Sequence, residues 1–281
     1  MLATSLIAFR EGLEAALIVG ILLGYLKKTG RLDQRWYAWI GVIAAIAMSI
    51  GVAAIIQWIG AELEGTAEQI FEGVTMFVAV ALLTWMIYWM RIQARGMKSS
   101  LEREMNSAIT AGQKWGLVTV AFTAVFREGI ETALFLSAAA FASDSASTLI
   151  GAVIGLTIAV VVGYFLYAST VRLNLRQFFN VTSVLLLVFA AGLFSRGIHE
   201  FQEAGVFFTM NEHLWNSSWL LNEDSTLGAV LKTLVGYSSS PSLESVVGYV
   251  VYWLFILLGM RWLTERMSTN ATKTSAGMAK A

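Results

Sequence analysis

The chain has 281 residues, 57% of them hydrophobic and 14% charged, with 19 basic and 19 acidic side chains and a mean hydropathy of +0.67. Soluble domains carry about 25% charged residues, so an ordinary globular fold is excluded; the net charge is zero, and no nucleic-acid partner is expected. No cysteine occurs, which excludes disulfides, iron–sulfur clusters and thiolate metal sites.

The apolar residues gather in runs, and a run of about 20 spans a bilayer. The first such segment, 2–26, lacks the basic start of a signal peptide and carries Arg10, Glu11 and Glu14 where an uninterrupted apolar stretch would stand; it reads as a retained helix. Spans follow at 36–60 and 69–91, the latter opening on Glu68 and Glu72. These two acids, four apart, read either as a first outer metal site or as a solvated acidic helix start favoured by the dipole. A cytoplasmic surface helix is expected at 99–113. The fourth span, 115–142, contains Arg127, Glu128 and Glu131. Spans five and six cover 148–171 and 177–195. After them His199 and Glu203 share a helical face, a second candidate outer site against simple surface polarity. The long segment 196–243 includes Trp215, Trp219 and a short amphipathic stretch at 226–236, expected on the membrane interface or under a partner. A seventh span covers 244–263, and 267–281 reads as a disordered tail. Tryptophans such as Trp36, Trp58, Trp85, Trp89, Trp115 and Trp253 fall near span ends, as an aromatic belt requires.

Lys and Arg bias sets orientation. Lys27, Lys28, Arg31 and Arg35 follow span one, Arg91, Arg95 and Lys98 follow span three, and Arg172 and Arg176 follow span five. The opposite loops are acidic, with Glu62, Glu64, Glu68, Glu200, Glu203 and Glu223 among them. The N-terminus is therefore placed outside and the C-terminus in the cytoplasm, with an acidic outer face that either steers cations inward or follows from the exclusion of Lys and Arg from outer loops.

Two nearly identical charged motifs interrupt apolar spans: Arg10-Glu11-Gly12-Leu13-Glu14 and Arg127-Glu128-Gly129-Ile130-Glu131, 117 positions apart. A charge at the bilayer centre costs roughly 2.5–3.5 kcal/mol on insertion scales. Six such groups therefore point to an ion pathway. At about 1.5 Å per residue both motifs lie near mid-membrane, and their spans run in opposite directions. A weaker echo links Gln69-Ile70-Phe71 and Val74-Thr75 to Gln177-Phe178-Phe179 and Val181-Thr182. The fold expected is an all-α polytopic membrane protein of seven helices, an inverted 3+3 repeat (about 2–91 and 115–195) plus one C-terminal helix.

Within each motif the two acids lie three apart and the base lies four before the second acid, so all three share one helical face. Four carboxylates without Cys or His make a hard oxygen site suited to Mg, Ca, Mn or iron. The competing reading is a pair of buried Arg–Glu clamps, but a clamp needs one acid per base, and here acids outnumber bases two to one.

The doubled Arg-Glu-x-x-Glu motif, in spans one and four of seven, resembles the oxidase-dependent iron transporter family, which contains the fungal high-affinity iron permeases and the bacterial EfeU-type permeases. The resemblance covers 1–266 and implies that Glu11, Glu14, Glu128 and Glu131 bind iron during translocation, with Arg10 and Arg127 as motif partners. It implies iron as transported substrate with no cofactor, an inner-membrane location, and extracytoplasmic iron-binding or oxidising partner proteins. Two alternatives stay open: a permease for another cation such as Mn or Pb, or a membrane scaffold for an extracytoplasmic oxidase. No nucleophile–base set supports an enzyme.

Overall fold

Backbone groups inside lipid must satisfy one another, so long apolar runs free of proline form helices. The computed structural model describes residues 1–93, 97–110, 114–143, 145–168, 175–208, 214–219, 221 and 225–278, and among them every long element is an α-helix. These are α1 (Leu2–Lys28), α2 (Arg35–Glu62), α3 (Thr66–Gln93), α4 (Met97–Thr110), α5 (Lys114–Ala142), α6 (Ser145–Ala168), α7 (Leu175–Glu203), α8 (Thr226–Val235) and α9 (Leu243–Met278). Five stretches, in α2, α3, α6, α7 and α9, are long and apolar enough to cross a membrane. The chain is a multi-pass membrane protein. Helices α1 and α5 are as long (27 and 29 residues) but carry the charged motifs.

Two boundaries differ from expectation. Helix α7 runs on to Glu203 rather than stopping near 195, so His199 and Glu203 stand on its last turns. Helix α9 continues through Met278, past the expected span end at 263 and into the stretch 267–281 where a disordered tail was expected; no proline interrupts it.

Helices α1 and α5 are central. Described residues of α1 are exposed only at its two ends. One apolar core joins Ala3 and Ile7 of α1 and Phe135 and Ala138 of α5 to α3, α7 and α9. A second joins Leu22 and Leu26 of α1 and Leu117 and Ala121 of α5 to α2 and to Leu101 and Met105 of α4. The charged motifs, at 10–14 and 127–131, fall between the two cores, so they form a polar layer midway along the bundle.

The neighbours of α1 and α5 come from far along the chain. Helix α1 packs along α6, and α5 along α2. Both pairs are parallel. Gly151, Gly155 and Gly163 of α6 meet Thr4, Ala8 and Ala16 in ascending order, while Gly41, Gly129 and Gly60 mark α2–α5 approaches to Ala121, Ser49 and Phe141. Helices α3 and α7 pair antiparallel, with Gly73 against Phe201 and Phe77 against Phe194.

Small residues let membrane helices close to backbone contact. A Cβ on Gly155 would lie 2.8 Å from the Phe9 nitrogen and 2.9 Å from the Ala8 Cβ, whereas one on Gly20 meets nothing within 4 Å. The Gly151/Gly155 and Gly20/Gly24 pairs share the same spacing, but only the first is a contact. Gly155→Leu is expected to destabilise by at least about 1–3 kcal/mol, the usual cost of overpacking, and Gly20→Ala to be neutral or better. Thermal stability in detergent, read by size-exclusion, checks the pair.

The described part of the segment after α7 folds back on the bundle, while Phe208, Trp215 and Trp219 stay exposed. Ser217 and Leu214 bond back to Ser239 and Pro241, and α8 packs against α7 and α1. Gly236, at φ 71° past the end of α8, touches Gly192 backbone to backbone. Gly192 lies eleven residues before the end of α7, about 16 Å down its axis. Leu234 packs against the apolar core that α3, α7 and α9 share with α1 and α5. The apolar face of α8 is thus only partly used inside the bundle: Leu234 packs inward, whereas Leu227 and Leu231 stay exposed.

Candidate metal centre

Helix periodicity puts Arg10, Glu11 and Glu14 on the inner side of α1, where α3 and α5 cover them. Arg10 is fully buried, as is Glu11, and Glu14 is nearly so. The Arg10 guanidinium donates from Nη1 to Glu11 Oε1 at 2.7 Å and to Met86 Sδ of α3 at 3.2 Å, and its Nη2 lies 3.0 Å from Glu14 Oε1. One guanidinium thus orients both acids of its motif, which is what its planar fork allows.

The matching motif on α5 is arranged differently. Arg127 Nε lies 3.2 Å from Glu131 Oε1 and 4.0 Å from Glu128 Oε1. Its side chain is 44% exposed, and its guanidinium carbon stands 4.3 Å from the ring centroid of Trp89. That stacking is a cation–π contact.

Across the α1–α5 contact, Glu11, Glu128 and Glu131 each offer an oxygen, and the three oxygens lie within 4.8 Å of one another. Among the described residues no other set of ionisable ligands converges in this way. Glu11 Oε2, Glu14 Oε1 and Glu131 Oε2 are buried with no hydrogen-bond partner, and of these Glu14 Oε1 is ion-paired to Arg10. Buried carboxylate oxygens are otherwise paired, so Glu11 Oε2 and Glu131 Oε2 are free to take a cation. Glu14, the fourth expected ligand, stands beside the three with its carboxylate on Arg10. The Thr132 hydroxyl donates to the Glu128 carbonyl at 2.7 Å.

The glycines of both motifs sit where a helix from the other half of the chain comes closest. A Cβ on Gly12 would be 2.9 Å from the Ala159 Cβ, and one on Gly129 2.7 Å from the Ser49 Cβ. The missing side chains let α6 and α2 press on the motif turns and fix their rotation.

The outer candidates are brought together at one end of the α3–α7 pair. His199 Nε2 lies 3.1 Å from Glu203 Oε1, and Gln69 of α3 donates to Glu203 Oε2 at 3.3 Å. Glu72 has Glu200, Glu68, Glu203 and Arg196 as charged neighbours, and Arg196 Nε lies 3.5 Å from Glu200 Oε1. The fourteen residues from Glu72 to Met86 separate this cluster from the Arg10 level by about 21 Å. His213, the other histidine, lies outside the described residues.

Two contributors, Met86 and Trp89, carry no sequence signal that they meet a motif arginine: a methionine in an apolar span reads as an ordinary packing residue, and Trp89 falls near a span end. Trp36, Trp58, Trp85 and Trp115 are exposed as a belt requires, whereas Trp89 and Trp253 are partly buried against other helices.

The whole arrangement has close relatives. The chain is 40% identical to the ferrous iron permease EfeU of Escherichia coli O6:K15:H31 (strain 536 / UPEC), covering 98% of this chain and all of the relative. It is 38% identical to that of Shigella sonnei (strain Ss046) over the same shares, and 36% identical to that of Yersinia pestis over 92% of each chain. No solved structure matches it. The match to the iron permease FTR1 family runs over residues 1–269, and with both charged motifs inside it this chain belongs to that family.

Proposed function

We propose that this protein is a permease that carries iron, as Fe2+, across the cytoplasmic membrane into the cell through its paired Arg-Glu-x-x-Glu motifs. The observation that carries the reading is the convergence of Glu11, Glu128 and Glu131 in a buried layer, with two carboxylate oxygens unpaired. Hard oxygen donors suit iron. With its carboxylates ionised the four-acid, two-arginine layer bears a charge of −2, which one divalent ion cancels. The relatives are named for ferrous iron.

Seven crossings and an inverted repeat fit the packing. Exchanging α1, α2, α3 for α5, α6, α7 maps the α1–α6 pair onto α5–α2, and maps the α1–α5 and α3–α7 pairs onto themselves. Thr75 and Thr182, in the weaker echo, both bond back to a phenylalanine carbonyl four residues earlier. Lys and Arg bias puts the end of the bundle bearing Lys27 and Lys28 in the cytoplasm. The outer cluster of Glu68, Glu72, His199 and Glu203 then faces an extracytoplasmic iron-binding or oxidising partner.

Purified protein in liposomes tests this directly. Radioactive iron uptake is expected with Fe2+ held reduced and to be weaker with chelated Fe3+. Mn2+ that competes as well as Fe2+ would favour a broader divalent-cation permease. Uptake of neither iron form, nor of Mn2+, would favour the scaffold reading.

A further inference from the structure

Helix α5 is enclosed nearly all round. Its described residues are exposed at only four positions, Trp115, Thr119, Thr123 and Arg127, spaced four apart on one line. That line leads from the motif to the end of the bundle where α1 finishes in Lys27 and Lys28, a climb of about 18 Å from Trp115 to Arg127. Elsewhere the exposed positions within the spans are mostly apolar, as with Ile43, Ile46 and Ile50 on α2, Val153 and Val160 on α6, and Val250 and Leu254 on α9; the polar exceptions, Thr157 on α6 and Gln177 and Asn180 near the start of α7, form no line that reaches a motif. Those apolar faces meet lipid. A face made of two threonines and a half-exposed arginine does not suit lipid, because a charge at that depth needs water or a partner.

A lone exposed threonine is ordinary. Thr157 on α6 satisfies its hydroxyl on the Val153 carbonyl, and Thr119 and Thr123 likewise bond back to Trp115 and Thr119. The register is what differs: Thr119 and Thr123 lead to Arg127, and Arg127 to Glu131, whose second oxygen is buried and unpaired. The line is also one-sided. The 117-residue offset that matches the motifs puts Leu2 and Leu6 of α1 where α5 has Thr119 and Thr123. The other half of the bundle has no polar line, and α8 packs over that end.

We propose that the Thr119–Thr123–Arg127 line is a water-filled route joining the carboxylate layer to the basic end of the bundle, and that Arg127, held against Trp89, is the group that iron passes on this route. The proposal rests on the permease reading for its cargo. The water route itself is independent of what travels along it.

The cysteine-free chain makes the test clean. Single variants T119C, T123C, L6C and V153C are made in the full chain, with K28C to mark which vesicle face carries the basic end. A membrane-impermeant cationic methanethiosulfonate is applied to inside-out vesicles and to right-side-out spheroplasts. Thiols react as thiolates, which form in water and not in lipid. T119C and T123C are expected to label from the face that labels K28C, about tenfold or more faster than V153C, while L6C stays unlabelled from both faces. Labelling of T123C is expected to cut iron uptake about tenfold. T119C and T123C reacting no faster than V153C, or only from the opposite face, would overturn the route, and labelling that leaves uptake unchanged would overturn its use by iron. Protein that labels as expected but moves no iron before modification would keep the route and remove the permease reading.

Discussion

Glu131→Gln is expected to cut iron uptake by about 100-fold or more while leaving the protein inserted and monodisperse. Even second-sphere partners of a metal are worth about 10–100-fold in affinity, and a direct ligand is worth at least that. The isosteric amide puts a donor where an acceptor must face the ion, and, with Glu14 Oε1 ion-paired to Arg10, Glu131 Oε2 is one of the two remaining buried carboxylate oxygens that make no hydrogen bond. Glu11→Gln should behave alike, because Glu11 supplies the other. Glu128→Gln removes the third converging oxygen. Glu14→Gln is the informative contrast. Its carboxylate lies on Arg10 at 3.0 Å and outside the converging three. Uptake should fall less, with a raised half-saturation rather than a lost maximal rate. Equal loss in all four variants, measured as liposome uptake at matched protein, would refute a three-carboxylate site and restore a symmetrical four.

That contrast marks how far the sequence carries. Helix existence, the placing of the motifs at mid-membrane and their meeting across α1 and α5 all follow from period and charge, because bilayer thickness and helical rise leave little freedom. The difference between the two motifs does not follow. Their residues are the same, and what separates a buried Arg10 from a half-exposed Arg127 is Met86 against one and Trp89 against the other. Both neighbours sit on α3, three residues apart, and no pattern within the motifs refers to them. The contact of Gly236 with Gly192 was equally hidden: two glycines 44 apart in sequence share no period, so α8 read as an interfacial helix rather than a packed one. The outer residues show a third case. The spacing of His199 and Glu203 foretold their contact, but the longer α7 and the facing Gln69 and Glu72 come only from the antiparallel packing with α3.

The unequal arginines predict unequal failures. Arg10→Met leaves Glu11 and Glu14 buried and facing Glu128 and Glu131 with their shared counter-charge gone. Breaking a buried pair by deleting one partner costs about 3–5 kcal/mol, and Arg10 pairs with two acids at once. A typical domain has only about 5–15 kcal/mol of net stability, so Arg10→Met is expected to accumulate poorly and to aggregate on detergent extraction. Arg10→Lys should rescue little, since a single ammonium cannot reproduce the fork that reaches Glu11, Glu14 and Met86 together. Adding Glu14→Gln to Arg10→Met removes one of the stranded charges and should restore part of the extractable protein without restoring uptake. Arg127→Met should accumulate close to normal, because its side chain is 44% exposed and Arg10 still faces the layer. Its uptake should nevertheless fall, through loss of the charge that stands between Glu131 and the Thr123 side of α5. Fluorescence-detected size-exclusion separates the two classes before any transport is measured. Equal accumulation of Arg10→Met and Arg127→Met would mean that the buried position of Arg10 does not carry the layer's charge balance, and the asymmetry described between the motifs would have no energetic content.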